Sequence, residues 1–210
     1  MRMTVFGATG GTGAHLVRQA LAAGHHVTAV VRDPARLGQA EHPRLEPVVA
    51  DAMDPDAVAP TLAGRDAVIS TLGPRTRGEG SVCSDGARAI TTAMRAVGTR
   101  RLVVVTASGH VVDGGDGPFT RAVVKPMLRR YLREGFADFA RTDQVVRDSG
   151  LDWTIMRPPR LTEGRRRPYR TAVDRNVRGG ITISRADLAH AILAALENPA
   201  SIGHTIGLGY

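Results

Sequence analysis

Cysteine and aromatic side chains are scarce in this chain of 210 residues. The single cysteine, Cys83, excludes an internal disulfide and a metal site built from several cysteines, and we expect no metal site. Aromatic residues make up 4% of the chain and no base-reading motif is present, so we expect no nucleic-acid partner. The chain also lacks any run of about 18 apolar residues and an apolar segment near its start. We therefore expect no membrane span or membrane partner, no signal peptide and a cytoplasmic location.

Lysine is scarce as well, because Lys125 is the only one among the 28 lysine and arginine residues. Against 20 acidic residues, these give a net charge of +8. Arginine binds phosphate through two parallel hydrogen bonds, so the excess can serve an anionic ligand. The alternative is a preference for arginine spread over the surface. The densest group lies in a predicted late loop and comprises Arg165, Arg166, Arg167 and Arg170.

Short β-branched runs alternate with helical patterns, which is typical of βαβ units and a parallel sheet. The predicted strands are 2–6, 26–31, 45–49, 67–70, 102–106, 153–157, 181–183 and 204–206. The predicted helices are 11–23, 56–62, 81–97 and 187–197, and residues 118–149 are helical in two pieces broken near Gly135. The sequence predicts an α/β fold over residues 1–210, a doubly wound parallel sheet (Rossmann fold) in three α/β/α layers. Residues 158–210 form a small C-terminal elaboration on the substrate side of this single domain.

A glycine-rich turn, 7–13, follows the first predicted strand and opens the first helix. Its first glycine permits the tight turn, the second lets backbone amides approach a pyrophosphate, and the last allows close packing of helix on strand. The helix N-terminus adds free N–H groups and partial positive charge. The alternative is a glycine-rich turn without a ligand. The residues expected to bind a dinucleotide here are Gly7, Thr9, Gly10, Gly11, Thr12 and Gly13.

The residues after the second strand discriminate between the two nicotinamide cofactors. NAD binders place an acidic residue against the ribose 2′-hydroxyl, whereas NADP binders place an arginine near the 2′-phosphate. Asp33 looks acidic in the NAD sense, but Asp33 followed by Pro34 is a typical start of a helix. That leaves Arg32 and Arg36 to face the cofactor. The sequence therefore favours NADP(H) over NAD(H).

Further cofactor contacts are expected where other strands end, because ligands of open α/β sheets bind beyond the carboxyl ends of their strands. Asp51 is a candidate for bonding the adenine amino group and Gly73 for approaching the ribose. For both, the alternative is a turn residue. The other expected cofactor contacts at these strand ends are Ala52, Leu72, Thr106 and Ala107.

Three polar residues are candidates for assisting catalysis. Ser108 can bond the carboxamide or the substrate, with a plain loop residue as the alternative. His110 can donate a proton near neutral pH, with an exposed loop histidine as the alternative. Asp143 falls near the middle of one helical face, where a carboxylate is costly unless paired, so it either borders the nicotinamide cleft or pairs with a buried arginine. The other members of that face are Phe136, Phe139, Ala140, Val146 and Arg147.

Several segments of the chain resemble the atypical short-chain dehydrogenase/reductases. Within that superfamily the chain is most similar to the NAD(P)H-binding branch that contains biliverdin reductase B (flavin reductase) and the NmrA-like proteins. The resemblance implies the Rossmann fold and a nicotinamide cofactor, and it assigns Pro158 and Leu161 to a nicotinamide-side loop, with a plain strand exit as the alternative. The segments that carry it are 7–13, 31–33, 84–88, 184–188 and, above all, SGLDWTIMRPPRL at 149–161.

The chain departs from ordinary short-chain dehydrogenases because it lacks their Tyr-x-x-x-Lys pair, in which tyrosine gives a proton to a carbonyl. Arg121 stands four residues before Lys125, and no lysine follows Tyr131, Tyr169 or Tyr210 at the required spacing. In biliverdin reductase B-like proteins the nicotinamide passes hydride to a conjugated ring system, and the protein mainly holds the two rings together. The missing pair is compatible with that chemistry.

The resemblance implies an NADPH-dependent oxidoreductase that reduces a flavin, a quinone or a similar conjugated small molecule, acting as a monomer or homodimer. The alternative is an NmrA-like regulatory protein that senses NADP(H) without turnover. An isomerase or epimerase is a third hypothesis, weakened by the missing tyrosine–lysine pair and the short C-terminal region.

Overall fold

Ten strands are present in the computed structural model of the protein, which describes residues 1–38, 41–74, 80–118, 120–127 and 132–210. They are β1 Arg2–Phe6, β2 His26–Val31, β3 Leu45–Val49, β4 Ala67–Ser70, β5 Arg101–Val105, β6 Asp152–Arg157, β7 Arg160–Thr162, β8 Arg170–Val173, β9 Thr182–Ser184 and β10 His204–Gly209.

Eight strands form one sheet in the order β3-β2-β1-β4-β5-β6-β10-β8. Its neighbours pair in parallel except β8, which is antiparallel to β10. Strands β7 and β9 form a separate parallel pair. The strand order reverses between β1 and β4, and a doubly wound sheet binds its ligand in the crevice at such a point.

Five helices of at least eight residues occur in the described ranges: α1 Gly11–Ala22, α2 Pro55–Leu62, α3 Val82–Val97, α4 Arg133–Arg147 and α5 Arg185–Glu197. Successive side chains of a strand point to opposite faces of the sheet. Met3 and Val5 accordingly join the core beneath α1 and α5, while Phe6 joins the core beneath α2, α3 and α4. This arrangement confirms the predicted α/β fold with a doubly wound sheet in three layers.

The structure differs from the sequence prediction in three of its local elements. Strands β7 and β8 lie in a segment for which no strand is predicted, so Arg170 begins a strand instead of lying in a loop. Helix α4 begins at Arg133 and continues through Gly135 instead of breaking there. No helix in the described part of the chain combines the length and apolar composition needed to cross a membrane.

Candidate cofactor and active site

The carboxyl ends of the strands bring the predicted cofactor contacts to one edge of the sheet. Each contact follows its strand directly, lies in the turn beyond it or lies in the helical segment that follows that turn, apart from Leu161, which lies within β7. In strand order these contacts are Gly7, Thr9, Gly10, Gly11, Thr12 and Gly13 after β1, Arg32 and Arg36 after β2, Asp51 and Ala52 after β3, Leu72 and Gly73 after β4, Thr106 and Ala107 after β5, and Pro158 after β6.

The glycine-rich turn packs tightly against the end of β4. Gly7 has a φ of +77°, a conformation that favours glycine, and its carbonyl oxygen accepts a hydrogen bond from Gly10 N at 2.9 Å. A Cβ on Gly7 would lie 2.8 Å from the Thr71 backbone, and one on Gly13 would overlap the Gly7 carbonyl oxygen. The tight turn predicted at Gly7 and the close packing predicted at Gly13 are therefore confirmed.

The N-terminus of α1 offers unused backbone donors. Gly10 caps the helix without a side-chain hydrogen bond, and the first turn contains no acidic residue. Gly10 O accepts the first intrahelical bond, so the preceding amides, those of Gly11, Thr12 and Gly13, lack a helical acceptor. Because these N–H groups lie at the positive end of the helix dipole, the geometry fits a diphosphate.

The segment after β2 leaves two arginines exposed. Asp33 Oδ1 accepts a hydrogen bond from Ala35 N at 3.0 Å, which confirms the predicted N-cap of a short helical turn. Its carboxylate is thus engaged with the backbone. Arg32 and Arg36 are exposed, and within the described residues neither has a carboxylate within 4.0 Å. Both guanidinium groups are therefore available to an added phosphate.

The ends of β3 and β4 form turns with different amounts of space. Asp51 Oδ1 accepts a hydrogen bond from Met53 N at 3.0 Å, so Asp51 is at least a turn residue. A Cβ on Gly86 of α3 would lie 2.5 Å from Leu72 Cδ1, which shows that Leu72 is packed against that helix. No atom of the described residues lies within 4 Å of where a Gly73 side chain would be, so these residues leave room for a ligand to approach its backbone.

Backbone hydrogen bonds join the segments that follow β5 and β6. Thr106 N donates to Met156 O at 2.9 Å, and Ser108 N donates to Pro158 O at 2.8 Å. Thr106 is buried, and its hydroxyl oxygen lacks a hydrogen-bond partner in the described part of the chain. The predicted site residues Ser108 and Pro158 are therefore neighbours, and the buried hydroxyl of Thr106 lies in the same pair of segments.

Three charged or titratable side chains form a buried cluster behind this edge. His110 ends the short helical turn Ser108–His110, Asp143 lies on α4, and Arg157 ends β6. His110 Nε2 lies 2.9 Å from Asp143 Oδ2, and Arg157 Nη2 donates to the same oxygen. The three residues are 9%, 6% and 7% exposed. Asp143 Oδ1 and Arg157 Nε are also buried and lack a hydrogen-bond partner among the described residues.

The charge state of Asp143 fixes the proton on His110. Burial alone would raise the pKa of the Asp143 carboxyl, but the hydrogen bond from His110 and the positive charge of Arg157 outweigh it and hold the pKa below its usual value. An ionised carboxylate accepts hydrogen bonds and donates none, so Nε2 of His110 carries a proton. Asp143 therefore orients the imidazole ring and can stabilise its protonated form.

This cluster decides two of the alternatives left open by the sequence. Asp143 pairs with a buried arginine, Arg157, which confirms one of its two interpretations. His110 is buried, so the interpretation as an exposed loop histidine is wrong. The sequence offered one signal for Arg157, because this charged residue directly follows the apolar pair Ile155-Met156 at the end of a strand and must find a partner if its side chain is buried.

The predicted packed face of α4 is only partly right. Asp143 and Val146 are buried, but Ala140 and Arg147 are exposed. The buried positions that sequence analysis missed are polar. Asp138 accepts hydrogen bonds from the Cys83 and Ser84 amides at the start of α3, at 2.9 and 3.1 Å, and Thr142 donates to Asp138 O at 2.9 Å. A hydrophobic pattern cannot reveal such positions, because hydrogen bonds set their burial.

The single lysine belongs to a separate buried polar cluster. Lys125 Nζ lies 2.5 Å from Asp116 Oδ2 and also donates to Val111 O. Asn176 N donates to both Asp113 carboxylate oxygens at 3.1 and 2.9 Å, and Asn176 Nδ2 donates to Asp116 Oδ2 at 3.2 Å. This cluster, the lysine cluster, ties the loop after β5 to the connection between β8 and β9. Lys125 is therefore paired with a carboxylate and a backbone carbonyl that belong to the structural framework.

Neither thiol chemistry nor a metal centre is indicated by the described residues. Burial, reinforced by the nearby charge of Asp138 and a hydrogen bond to it, raises the pKa of the Cys83 thiol to about 12. No group of three or more histidine, cysteine, aspartate or glutamate side chains in the described ranges is arranged to hold a metal ion.

A family model described as NAD(P)H-binding matches residues 7–199. The chain belongs to this NAD(P)H-binding family. It is 28% identical over 207 residues to the uncharacterized protein YwnB of Bacillus subtilis, covering 95% of this chain and 93% of YwnB. A crystal structure of a protein from Burkholderia pseudomallei is 27% identical, with all of both chains covered and a TM-score of 0.83. A short-chain dehydrogenase/reductase from Veillonella parvula, solved in complex with NADP, is 20% identical, with 100% of this chain and 94% of that chain covered and a TM-score of 0.83.

The NAD(P)H-binding family accounts for the geometry at the glycine-rich turn. The matched segment begins at the first residue of that turn, Gly7, and it includes the buried cluster and the whole of α5. A nicotinamide nucleotide, the ligand class expected from the sequence, is the ligand that the family's description names.

Proposed function

We propose that this member of the NAD(P)H-binding family is an NADPH-dependent oxidoreductase that passes a hydride to a flavin, a quinone or a similar conjugated acceptor. The observation that carries the proposal is the buried cluster of His110, Asp143 and Arg157 beside the segments after β5 and β6. A cluster that fixes a proton on a histidine next to a nucleotide site is suited to proton transfer during reduction.

The residues present fit NADPH along the whole edge of the sheet. The amides at the start of α1 would hold the diphosphate, and Arg32 with Arg36 would hold the 2′-phosphate. Thr106 and Ser108 would bond the nicotinamide carboxamide or the substrate, because the Thr106 hydroxyl is buried without a partner among the described residues. When bound, the reduced cofactor supplies the hydride.

The protein's own contribution to the reaction is to hold a proton in place. A conjugated acceptor that receives a hydride gains negative charge and then takes up a proton. His110 can give that proton from Nδ1 of its protonated ring, because Asp143 holds the proton on Nε2, orients the ring and compensates its charge. Arg157 keeps the Asp143 carboxyl ionised, so the orientation persists when His110 is neutral.

The lysine cluster argues against carbonyl reduction of the ordinary short-chain dehydrogenase type. That mechanism needs a lysine that lowers the pKa of a tyrosine four residues before it. Here Lys125 is buried against Asp116, and position 121 is an arginine. A ring acceptor that needs orientation more than a strong acid suits the residues that are present.

The test is NADPH oxidation, followed at the nicotinamide absorption band with FMN and a panel of quinones. Wild type is expected to turn over at least one acceptor. His110→Gln is expected to lower kcat about a hundredfold, the lower range for a general acid, while the Kd for NADPH stays unchanged. The matched control is Arg100→Met, since Arg100 pairs with Asp152 at the opposite edge of the sheet.

Three outcomes contradict the proposal in different ways. Tight NADPH binding without turnover of any acceptor would favour the NADP(H)-sensing alternative. Equal activity of wild type and His110→Gln would remove His110 from the reaction while leaving the cofactor assignment intact. Absence of NADPH binding would refute the proposed function as a whole.

A further inference from the structure

An ion pair lies directly over the glycine-rich turn. The side chain of Arg185 packs on Gly11, because a Cβ at Gly11 would lie 2.7 Å from both Cδ and Nε of Arg185. Arg185 Nη1 lies 2.5 Å from Glu163 Oε1, and Glu163 Oε2 lies 4.0 Å from Nε2 of His15 on α1. A guanidinium and a carboxylate therefore face the helix start where the diphosphate is expected.

The fold fixes Arg185 in this position. Arg185 is the first residue of α5, and α5 packs on α1, where Gln19 Nε2 donates to Ala186 O at 2.9 Å. Ser184 caps α5 and accepts a hydrogen bond from Asp187 N at 3.0 Å. Because these residues already hold the helix, the backbone position of Arg185 does not depend on Glu163.

The positive charge of Arg185 does not stabilise α5, the helix that it begins. A cation in the first turn opposes the helix dipole, which favours negative charge at that end. Gly11, in contrast, has no side chain and so leaves the space that the Arg185 side chain occupies. Both features are explained if the guanidinium serves a ligand at the adjacent N-terminus of α1.

Glu163 has the properties of an exchangeable partner of Arg185 and not of one that stabilises the fold. Its side chain is 75% exposed, against 30% for Arg185, and it follows the short strand β7. An exposed pair of this kind contributes little to stability. Its carboxylate pairs with the guanidinium beside the start of α1, and a diphosphate carries more charge and more acceptor oxygens than one carboxylate.

We propose that Arg185 is a ligand of the cofactor diphosphate and that Glu163 competes with the diphosphate for it. The inference rests on the proposed function, because it requires a dinucleotide on the glycine-rich turn. Binding of the cofactor transfers Arg185 from Glu163 to the phosphate oxygens. Glu163 therefore lowers the affinity for the cofactor.

The experiment measures Kd by calorimetry at one ionic strength for wild type, Arg185→Met, Glu163→Gln and the double variant. The ligands are NADPH and 2′-AMP, which carries the 2′-phosphate without a diphosphate. Arg185→Met is expected to weaken NADPH binding about tenfold, as for a lost charged hydrogen bond. Glu163→Gln is expected to tighten it about threefold, the scale of an exposed ion pair. The double variant is expected to bind NADPH like Arg185→Met, because Glu163 competes only through Arg185.

Two controls separate this proposal from general charge effects and from misfolding. Affinity for 2′-AMP is expected to stay unchanged in every variant, and Arg100→Met, which removes an exposed guanidinium at the far edge of the sheet, is expected to bind NADPH like wild type. Arg185→Lys keeps the charge and is expected to lose less affinity than Arg185→Met.

The possible failures are distinguishable. If wild type binds NADPH and Arg185→Met binds it equally well, Arg185 is not a diphosphate ligand, while the proposed function survives. Equal losses for NADPH and 2′-AMP in Arg185→Met would likewise overturn the assignment, as would an unchanged or weaker affinity in Glu163→Gln. If wild type binds no NADPH, the proposed function fails and this inference fails with it.

Discussion

Replacing Asp143 with asparagine tests the energetic role of the buried cluster. The change keeps the shape of the side chain but removes the charge that compensates Arg157, which is 7% exposed. Arg157 Nη2 then loses its carboxylate partner, and Arg157 Nε is already without a partner in the described residues. We expect the free energy of unfolding to fall by about 3–5 kcal/mol, the cost of leaving one member of a buried ion pair uncompensated.

The assay is urea unfolding at pH 7, followed by the fluorescence of the single tryptophan, Trp153, which lies in β6. A double variant, Asp143→Leu with Arg157→Met, removes both charges. It is expected to cost about 1–3 kcal/mol, because Nε2 of His110 still loses its acceptor. Two results would refute the reasoning. One is a free energy of unfolding for Asp143→Asn within about 1 kcal/mol of that of wild type. The other is a loss of stability in the double variant as large as the summed losses of the single variants Asp143→Leu and Arg157→Met.

The pH dependence of the same variant follows from the lowered pKa of Asp143. A carboxyl whose pKa is lower in the folded than in the unfolded state contributes its full stability above the unfolded pKa, about 3.9. That contribution is lost as pH falls through the folded pKa. The difference in stability between wild type and Asp143→Asn is therefore expected to be constant near neutral pH and to shrink below about pH 4. A difference that grows on acidification would contradict the sign of the shift.

Further predictions concern the cofactor and the thiol. Arg32→Asp is expected to weaken NADPH binding by about 1–3 kcal/mol and to leave NADH binding unchanged or stronger, as measured by calorimetry; unchanged NADPH affinity would remove Arg32 from the site. Gly13→Ala is expected to lose both NADPH binding and thermal stability, because its Cβ would overlap the Gly7 carbonyl oxygen, and a Tm equal to that of wild type would contradict this. Cys83, whose pKa is raised to about 12, is expected to resist a thiol reagent at pH 8 until urea unfolds the chain, and rapid labelling of the folded protein would show that the thiol is accessible.

Strands β1, β2 and β4 could be predicted from the sequence because almost all of their residues are buried, on both faces of the sheet, and each appears as a short run rich in apolar and β-branched residues. The bounds predicted for β1, β2, β3 and β4 agree with the structure. Strands β7 and β8 could not be predicted, because most of their residues are half-buried or exposed and carry no hydrophobic pattern. Their pairing with β9 and β10, distant in sequence, determines their conformation.

The residues of the candidate site likewise fall into a part that the sequence predicts and a part that it does not. The glycine-rich turn is a local motif, so residues close together in sequence predict it. The cluster of His110, Asp143 and Arg157 brings together residues that are 33 and 14 positions apart, and no local rule pairs them. Hydrophobic spacing does not predict the buried face of α4, because Asp138 lies on that face to accept hydrogen bonds from the first amides of another helix.

The lysine cluster has a consequence for engineering by loop exchange among relatives. Asp113 and Asp116 belong to the segment after β5, whereas Asn176 belongs to the β8–β9 connection, and Asn176 donates hydrogen bonds to both carboxylates. A graft that imports one of these segments alone would bury carboxylates without their donors or an amide without its acceptors. Chimeras designed to change acceptor preference would therefore have to transplant both segments together with Lys125.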